Sequence, residues 1–301
     1  MKIFVIGAAI IDIILQVDRL PQTGDDVIAK GTKITIGGCA YNVASTLRNM
    51  GCEHMLCVPV GKGFYSKLVE TTLEKLKYPV LIRDDSTDNG FCISFVEANG
   101  ERTFVDGIGN EAGFQKELLN SINIDDYSDL YIAGYQIYGK DGECLVNWLA
   151  TLQNKRIFFA PGPVITMLNQ DLMKRIMNLH PVLHLNNKEA MEYTKAPSIE
   201  DALYELYFQC RNFVFVTCGS KGTMYYDGKS VHTIPAYTVQ AIDTSGAGDS
   251  HIAALMAGIC QGHTIEQSVR MANHVAADIV TVAGPVMEKN VFTEKKLKWE
   301  D

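Results

Sequence analysis

Short apolar segments alternate along the chain with longer segments whose apolar residues recur every three or four positions. The first apolar segment, residues 2–6, is unbroken and ends at Gly7, as is typical of a central strand covered on both faces. After Asp129, short apolar strands alternate with helical stretches, the strands lying at residues 130–133, 156–160, 182–185 and 213–216. This alternation predicts parallel β-α-β units and therefore an α/β fold.

The chain around residue 100 follows a different pattern. Residues 91–97 and 101–105 flank Asn99-Gly100, a dipeptide that favours a type I′ turn, so they predict an antiparallel hairpin. An antiparallel hairpin inside a parallel α/β chain indicates a small separate sheet, whose other strands lie in residues 10–36. We therefore expect one α/β domain over residues 1–301, with lid strands from about 10–36 and 88–106 inserted in it.

Three elements are predicted around the glycine-rich residues 243–250. Residues 230–234 and 239–242 have the alternation and β-branched content of strands, and residues 252–258 continue as an apolar helix. Thr264 and Gln267 then form a capping-box pattern that opens a helix through about residue 282.

Composition narrows the function classes. The 301 residues are 47% hydrophobic and 21% charged, enough for a large core. A net charge of -8 without a run of basic residues argues against a nucleic-acid surface and an anionic-membrane anchor. The eight cysteines form no CxxC pair, which suits a reducing cytoplasm, and Asp12 leaves the opening apolar run too short to span a bilayer. We expect a cytoplasmic protein that acts on small molecules.

Residues 243–250, Asp-Thr-Ser-Gly-Ala-Gly-Asp-Ser, are the strongest candidate for chemistry. The small residues Gly246, Ala247 and Gly248 let the backbone approach a ligand, and the helix start that follows supplies unpaired N–H donors for an anion such as phosphate. Asp249 lies in the first helical turn, where its carboxylate can accept a proton from an attacking hydroxyl. The alternative is that Ser245 or Asp249 merely caps the helix and the glycines merely allow a turn.

Other polar residues and glycines are candidates for ligand binding, and most of them also have a purely structural explanation. Asp12 is the one acid in an apolar segment, so it is either a structural residue bonded to backbone amides or a ligand-binding residue. Gly37 and Gly38 form a turn or let a ligand approach the main chain, and the Asn42 amide offers donors and an acceptor for hydroxyls. Arg102 and Asp106 are interpreted as surface charges.

Residues 186–189 directly follow a predicted strand, at the edge of the sheet where ligands bind in α/β folds. Glu189 can act there on magnesium through metal-bound water, or Asn186 and Glu189 can form a capping box. No GxGxxG follows the first strand, so a dinucleotide-binding oxidoreductase is disfavoured, and no GxxxxGK[ST] occurs, so Lys221 is not the lysine of a Walker motif. The histidines form no cluster: His274 is expected to be packed, and His251 has no assigned role.

Four of these segments resemble motifs of the ribokinase-like (PfkB) carbohydrate kinases. Residues 243–250 resemble the C-terminal family signature and residues 36–44 the N-terminal one. Residues 186–189 resemble the NxxE motif, and residues 217–222 resemble the nucleotide loop. The resemblance extends from Asp12 to the helix of Asn273, and it implies a ribokinase-like three-layer α/β/α sandwich with a mostly parallel central sheet and a small β-sheet lid.

The resemblance also implies roles. The base would be Asp249, with the amides of Gly246, Ala247 and Gly248 stabilising the transferring phosphoryl group. The remaining residues implied by the motifs are Asp12, Gly37, Gly38 and Asn42 for the acceptor, Asn186, Glu189, Thr217, Gly219, Gly222 and Asn273 for ATP, Glu189 for Mg²⁺ through water, and Asp243 and Ser245, with ligands near Ala283 and Gly284, for a monovalent cation such as K⁺.

The implied activity is transfer of the γ-phosphate of ATP to a hydroxymethyl group of a small sugar or nucleoside. A nucleoside kinase of the ribonucleoside or pseudouridine type, a non-catalytic sugar-sensing relative and a nucleotide-binding oxidoreductase are the alternatives. The family's lid covers its sugar site, so Phe91 and Cys92 are expected to face the substrate, with ordinary sheet packing as the alternative. Because Phe91, Ile93 and Phe95 alternate on a hairpin too small to bury both faces, we also expect a homodimer through the lid.

Overall fold

The computed structural model describes residues 1–98 and 101–296. Its strands, β1 to β14 in chain order, are Ile3–Ile6, Ile10–Val17, Gly31–Gly37, His54–Cys57, Pro59–Val60, Ile82–Arg83, Phe91–Glu97, Arg102–Gly107, Asp129–Ala133, Arg156–Ala160, Val182–Asn186, Val214–Thr217, Thr223–Tyr226 and Val231–Ile234. Its helices, α1 to α11, are Cys39–Asn49, Phe64–Leu76, Lys116–Asn120, Gly134–Tyr138, Gly142–Thr151, Gln170–Met177, Asn187–Thr194, Ile199–Cys210, Ala247–Cys260, Ile265–Ile279 and Lys289–Lys296. No helix in the described part of the chain combines the length and apolarity needed to cross a membrane.

Eight strands form the central sheet, in the order β14-β13-β12-β11-β10-β9-β1-β4. The pairs from β12 to β4 are parallel, whereas β13 and β14 pair antiparallel at one edge. Strands β9 to β12 are the four predicted after Asp129, so the expected β-α-β units are confirmed. Parallel strands need crossover segments, and the helices that supply them cover both faces of the sheet.

Strand β1 shows how the layers arise. Its side chains alternate, so that Ile3 and Val5 join the core beneath α1, α2, α9, α10 and α11, while Phe4 and Ile6 join the core beneath α3 to α8. All four side chains are fully buried. The apolar run of β1 is therefore unbroken because both faces of the strand are covered. The predicted three-layer α/β/α sandwich is confirmed.

A second, four-stranded sheet has the order β3-β2-β7-β8, with β2 and β7 parallel and the outer pairs antiparallel. Only residues 7–9 separate β1 from β2, so the chain passes directly from the central sheet into this small sheet. Its two faces differ in character. One cross-strand row carries Thr35, Asp12, Cys92 and Asp106, and the next row, on the opposite face, carries Ile34, Ile13, Ile93 and Val105.

The register of β7 and β8 differs by one residue from that of a two-residue turn at Asn99-Gly100. Val96 pairs with Arg102, and the Glu97 N–H donates to the Glu101 carbonyl over 2.9 Å, whereas such a turn would pair residues 98 and 101. The predicted type I′ turn itself lies outside the described residues. Because neighbouring side chains on a strand point to opposite faces, the register decides which face of β8 carries Arg102.

The prediction of a strand at residues 239–242 is wrong. Val239 and Ile242 are 40% and 67% exposed, and the segment pairs with no strand of the described chain. Instead, the N–H groups of Ile242 and Asp243 both donate to the carbonyl of Val280, at 2.7 and 3.1 Å. The backbone here is tied to the end of α10, so β14 remains the edge of the sheet.

Candidate active site

The start of α9 leaves its backbone donors uncovered. Gly246, at the N-cap, has φ 71° and ψ 0°, and a Cβ at this position would lie 2.2 Å from the carbonyl oxygen of Pro285, so glycine is required. Among the described residues no side chain caps this helix end, which rules out a capping role for Ser245 or Asp249. A Cβ on Gly248 would meet no described atom within 4 Å. The N–H groups of the first turn can therefore approach an anion.

Asp249 is held by α1. Nδ2 of Asn42 donates to its Oδ2 over 2.8 Å, and the Cys39 thiol donates to the same carboxylate. Burial nevertheless raises the pKa of Asp249 to about 6. One turn along α1, Thr46 Oγ1 lies 3.2 Å from Ser250 Oγ, so two consecutive polar contacts join α1 to α9. Asn42, expected to bind the acceptor, instead holds the Asp249 carboxylate, and its buried Oδ1 has no hydrogen-bond partner among the described residues.

The structure explains why both residues of the Gly37-Gly38 pair in the N-terminal signature are glycines. A Cβ on Gly37 would lie 1.9 Å from Oδ2 of Asp12, so Gly37 makes room for that carboxylate. Gly38 has φ 96°, and a Cβ there would lie 2.7 Å from the carbonyl oxygen of Ala8. The turn from β3 into α1 therefore requires small residues whether or not a ligand is bound.

Asp12 lies among carboxylates. Burial is the largest cause that raises the pKa of Asp12 to about 7, and the charges of Asp106, Asp249 and Asp243 raise it further. Asp106 is exposed, as expected of a surface charge, but it belongs to the same cross-strand row as Asp12. This cross-strand row of the small sheet is therefore acidic.

The expectation that Phe91 and Cys92 both face the substrate is wrong for Phe91. Cys92 lies between Asp12 and Asp106 in their row, whereas Phe91 belongs to the opposite face, where its ring lies 5.5 Å from that of Tyr65. Adjacent residues on a strand cannot share a face, so one of the two had to pack elsewhere.

Tyr135, in the first turn of α4, is a neighbour that sequence reasoning missed. Burial is the largest cause that raises the pKa of its hydroxyl, followed by the charges of Cys39, Asp106, Cys92 and Asp249. Tyr135 therefore lies near the contact between α1 and α9 and also near the small sheet. The side chain remains 39% exposed. Its position directly after the end of β9 is a signal that could have identified it, because ligands bind at such strand ends.

Asn186 and Glu189 form the capping box that the sequence left as one of two interpretations. The Asn186 side chain accepts from the Glu189 N–H over 2.8 Å, and the Asn186 N–H donates to Oε2 of Glu189 over 3.0 Å. Nδ2 of Asn186 also donates to Oε1, over 2.7 Å. Burial is the largest cause that raises the pKa of Glu189, and the charge of Asp249 adds to it, so the box lies within electrostatic reach of Asp249.

A cavity of about 340 Å³ opens beside the start of α9. It brings together four of the residues expected to bind ATP and two from the glycine turn: Thr217, Gly219, Gly222, Asn273, Ala247 and Gly248. Tyr237 on its wall stacks on His274, with ring centroids 4.1 Å apart, so His274 is packed as expected. The cavity therefore joins the nucleotide loop to the open N–H groups of α9.

His251 belongs to a buried hydrogen-bonded chain that forms part of the wall of this cavity. Nδ2 of Asn273 donates to two backbone carbonyls at the end of β14, which makes its Oδ1 an acceptor. That oxygen accepts from the Thr223 hydroxyl at 2.6 Å and lies 3.0 Å from Nε2 of His251, so Nε2 carries a hydrogen. Nδ1 of His251 then accepts from His184 at 2.9 Å. Burial lowers the pKa of His251 to about 4, so it is a neutral structural residue.

Arg102 is not the surface charge we expected. Its side chain is 18% exposed, and its Nη1 lies 2.6 Å from Oδ1 of Asp243 and donates to Ser245 Oγ over 2.6 Å. Burial would raise the pKa of Asp243, but Arg102 and the N–H groups of Ser245 and Gly284 outweigh burial and keep that pKa below its usual value. The small sheet thus contacts the turn that leads into Gly246.

We predict that Asp12→Asn stabilises the protein at high pH. Since the pKa of Asp12 is about 7 in the folded chain, the folded state binds more protons than the unfolded state between pH of about 4 and 7, and stability falls as pH rises through that window. The variant lacks the buried charge, so its Tm without ligand should exceed that of the wild type at pH 8, with a smaller difference at pH 5. Asp18→Asn, just beyond β2, is the exposed control. A variant less stable than the wild type at pH 8 would contradict this account.

Comparison with known proteins identifies the family. The pfkB family carbohydrate kinase pattern matches residues 1–289. A protein of Escherichia coli (strain K12) named uncharacterized sugar kinase YegV is 32% identical over 304 residues, which cover 98% of this chain and 95% of that protein. A nucleoside kinase of Methanothermobacter thermautotrophicus is 25% identical over 287 residues, covering 93% of this chain and 89% of its own.

The fold agrees with these matches. Ribokinase from Thermotoga maritima superposes with a TM-score of 0.84 at 24% identity, covering 98% of this chain and 99% of that one. Kinases of this family use ATP. Since the family match spans nearly the whole sequence, the chain belongs to the pfkB family of carbohydrate kinases and is a phosphotransferase of the sugar or nucleoside kinase type.

Proposed function

We propose that the protein transfers the γ-phosphate of ATP to a hydroxymethyl group of a small, uncharged sugar or nucleoside. The observation that carries this proposal is the position of Asp249, a half-buried carboxylate with a pKa raised to about 6. It is the third residue of a helix whose first N–H groups lack a side-chain cap among the described residues. A proton acceptor beside an anion cradle is what phosphoryl transfer to an alcohol needs.

Each part of the site has an assigned task. Asp249 accepts the proton of the attacking hydroxyl, and Asn42 keeps its carboxylate in place. The N–H groups that follow Gly246 stabilise the charge on the transferring phosphoryl group. The nucleotide occupies the cavity lined by Thr217, Gly219 and Asn273. Magnesium, when bound, would neutralise charge on the phosphates, with Asn186 and Glu189 holding it through metal-bound water.

The acceptor site favours an uncharged ligand. Asp106 and Asp249 lie close enough to Asp12 for their charges to raise its pKa, so a phosphorylated sugar would be repelled by these carboxylates. At its pKa of about 7, Asp12 exists in both protonation states near neutral pH, and it can accept from or donate to hydroxyl groups. The half-exposed ring of Tyr135 supports a nucleoside as the second candidate acceptor, because a base can stack on an aromatic side chain.

We expect ADP release from Mg-ATP with at least one member of a panel of free sugars and nucleosides, and little release with the matching sugar phosphates. Asp249→Asn should lower kcat by about two to four orders of magnitude, because only the proton acceptor is lost, while calorimetry still detects ATP binding. Asp171→Asn is the matched control, since Asp171 also lies in a first helical turn but is exposed. An Asp249→Asn enzyme within tenfold of the wild type would refute the assignment of the base.

Asp12→Ala is expected to weaken acceptor binding by about 10- to 100-fold, because hydrogen bonds to the acceptor hydroxyls are lost. ATP affinity should change little, since Asp12 belongs to the small sheet and the nucleotide cavity lies beyond α9. Calorimetry with each ligand separately measures both effects, and Asp18→Ala is the control. Equal losses for the two ligands would show that Asp12 supports the fold rather than the acceptor.

We also propose that two copies pair through the small sheet. Phe91, Ile93 and Phe95 share the face that turns away from Asp12, and on that face Ile34 and Val105 are 57% and 51% exposed. An exposed apolar sheet face of this kind is typical of a protein interface.

Ile34→Glu and Val105→Glu are expected to convert a homodimer into monomers, measured by light scattering, because each buries a charge against the partner's apolar face. Phe208→Glu, at an equally exposed position on α8, should leave the dimer intact. A wild type that is fully active as a monomer at micromolar concentration would exclude pairing through this face.

A further inference from the structure

The residues expected to hold a monovalent cation do not fit one. Oδ1 of Asp243 lies 2.6 Å from the Arg102 guanidinium and accepts from the Ser245 N–H at 2.8 Å, and Oδ2 accepts from the Gly284 N–H at 2.7 Å. Ser245 Oγ also accepts from Arg102. Potassium needs several oxygen ligands turned toward one point, whereas these oxygens are turned toward N–H donors. A cation added here would also be repelled by the guanidinium.

The remaining candidate ligand is engaged in the same way. Nζ of Lys33 donates to the carbonyl oxygen of Ala283 over 3.3 Å, and it lies 3.5 Å from the position of a Cβ built on Gly284. Lys33 comes from β3 and Arg102 from β8, the two outer strands of the small sheet. Two cationic side chains from one face of this sheet therefore contact the two loops from which cation ligands were expected.

The Arg102 contact is strong for a charge pair. Asp243 is 4% exposed, and two contacts of 2.6 Å lead from a single guanidinium nitrogen to a carboxylate and a hydroxyl. Charge-assisted hydrogen bonds in partly buried surroundings are stronger than neutral ones. The turn from Asp243 to Ser245 continues directly into Gly246, so the positive charge lies at the entrance to the open N–H groups of α9.

We propose that the Arg102 side chain supplies the positive charge that a monovalent cation was expected to supply, and that it couples docking of the small sheet to the phosphoryl-binding turn. The proposal rests on the proposed kinase function. Arg102 is a positioning residue: it orders the 243–245 turn and adds positive potential beside the phosphoryl group. Because the charge is covalently part of the protein, phosphoryl transfer should not depend on K⁺.

The test compares wild type, Arg102→Gln and Arg102→Lys in K⁺ and in tetramethylammonium at matched ionic strength. Wild-type ADP release should agree within about twofold in the two salts. Arg102→Gln removes the charge and keeps much of the side-chain length. Its rate of ADP release should therefore fall about tenfold or more without K⁺ and should recover when K⁺ or a low concentration of guanidinium is added. Arg102→Lys keeps a charge and should remain independent of K⁺. Arg175→Gln, which loses ion pairs on α5 and α6, is the control.

A binding measurement separates this proposal from the kinase assignment. In thermal unfolding without substrate, K⁺ should raise the Tm of Arg102→Gln relative to tetramethylammonium and should not raise the Tm of the wild type. The reason is that loss of the Arg102 guanidinium exposes the oxygens of Asp243 and Ser245 to a cation. This result is expected even if no acceptor is found and the proposed function fails. A wild type that needs K⁺ would overturn the proposal, as would a folded Arg102→Gln enzyme that neither cation restores. If Arg102→Gln does not fold, the wild-type and Arg102→Lys salt comparisons decide.

Discussion

The start of α9 has to satisfy two opposite demands, and the surrounding structure depends on them. For the proposed function its first N–H groups must remain open to an anion, and they lack a side-chain cap among the described residues, with Gly246 in the left-handed region against the Pro285 carbonyl. Three residues after Gly246 it must hold a half-buried carboxylate, Asp249, which is costly unless donors accompany it. Helix α1 supplies those donors through Asn42 and Cys39. The packing of α1 against α9 is therefore a requirement of the site as well as of the core.

Charge is distributed unevenly across this site. Around Asp12, burial and the nearby charges of Asp106, Asp249 and Asp243 raise its pKa to about 7, and burial raises the pKa of Asp249 to about 6. On the phosphoryl side, Arg102 and the backbone N–H groups keep the pKa of Asp243 low. A carboxylate whose pKa approaches neutrality is a more effective proton acceptor than a fully solvated one. The separation therefore suits a hydroxyl acceptor on one side and a phosphate on the other.

The features that could be predicted from the sequence are those that depend on neighbouring residues. The unbroken run of β1, the strands after Asp129 and the glycine turn before Asp249 follow from periodicity and from residue types. The contacts of the site do not, because they join distant segments: 207 positions separate Asn42 from Asp249, and 143 separate Arg102 from Ser245. Arg102 was misassigned for a specific reason. The register of a two-residue turn would place it on the face of Phe91, and the observed register, one residue away, places it on the face of Asp12.

That register gives the small sheet its second task. The face that carries Asp12, Cys92 and Asp106 near the acceptor also carries Lys33 and Arg102 at the phosphoryl-binding loops. The residue proposed to bind the acceptor and the two cationic side chains therefore belong to one four-stranded sheet. Since Arg102 contacts Asp243 and Ser245 within the chain itself, the proposed positive charge beside the phosphoryl group is in place before an acceptor binds.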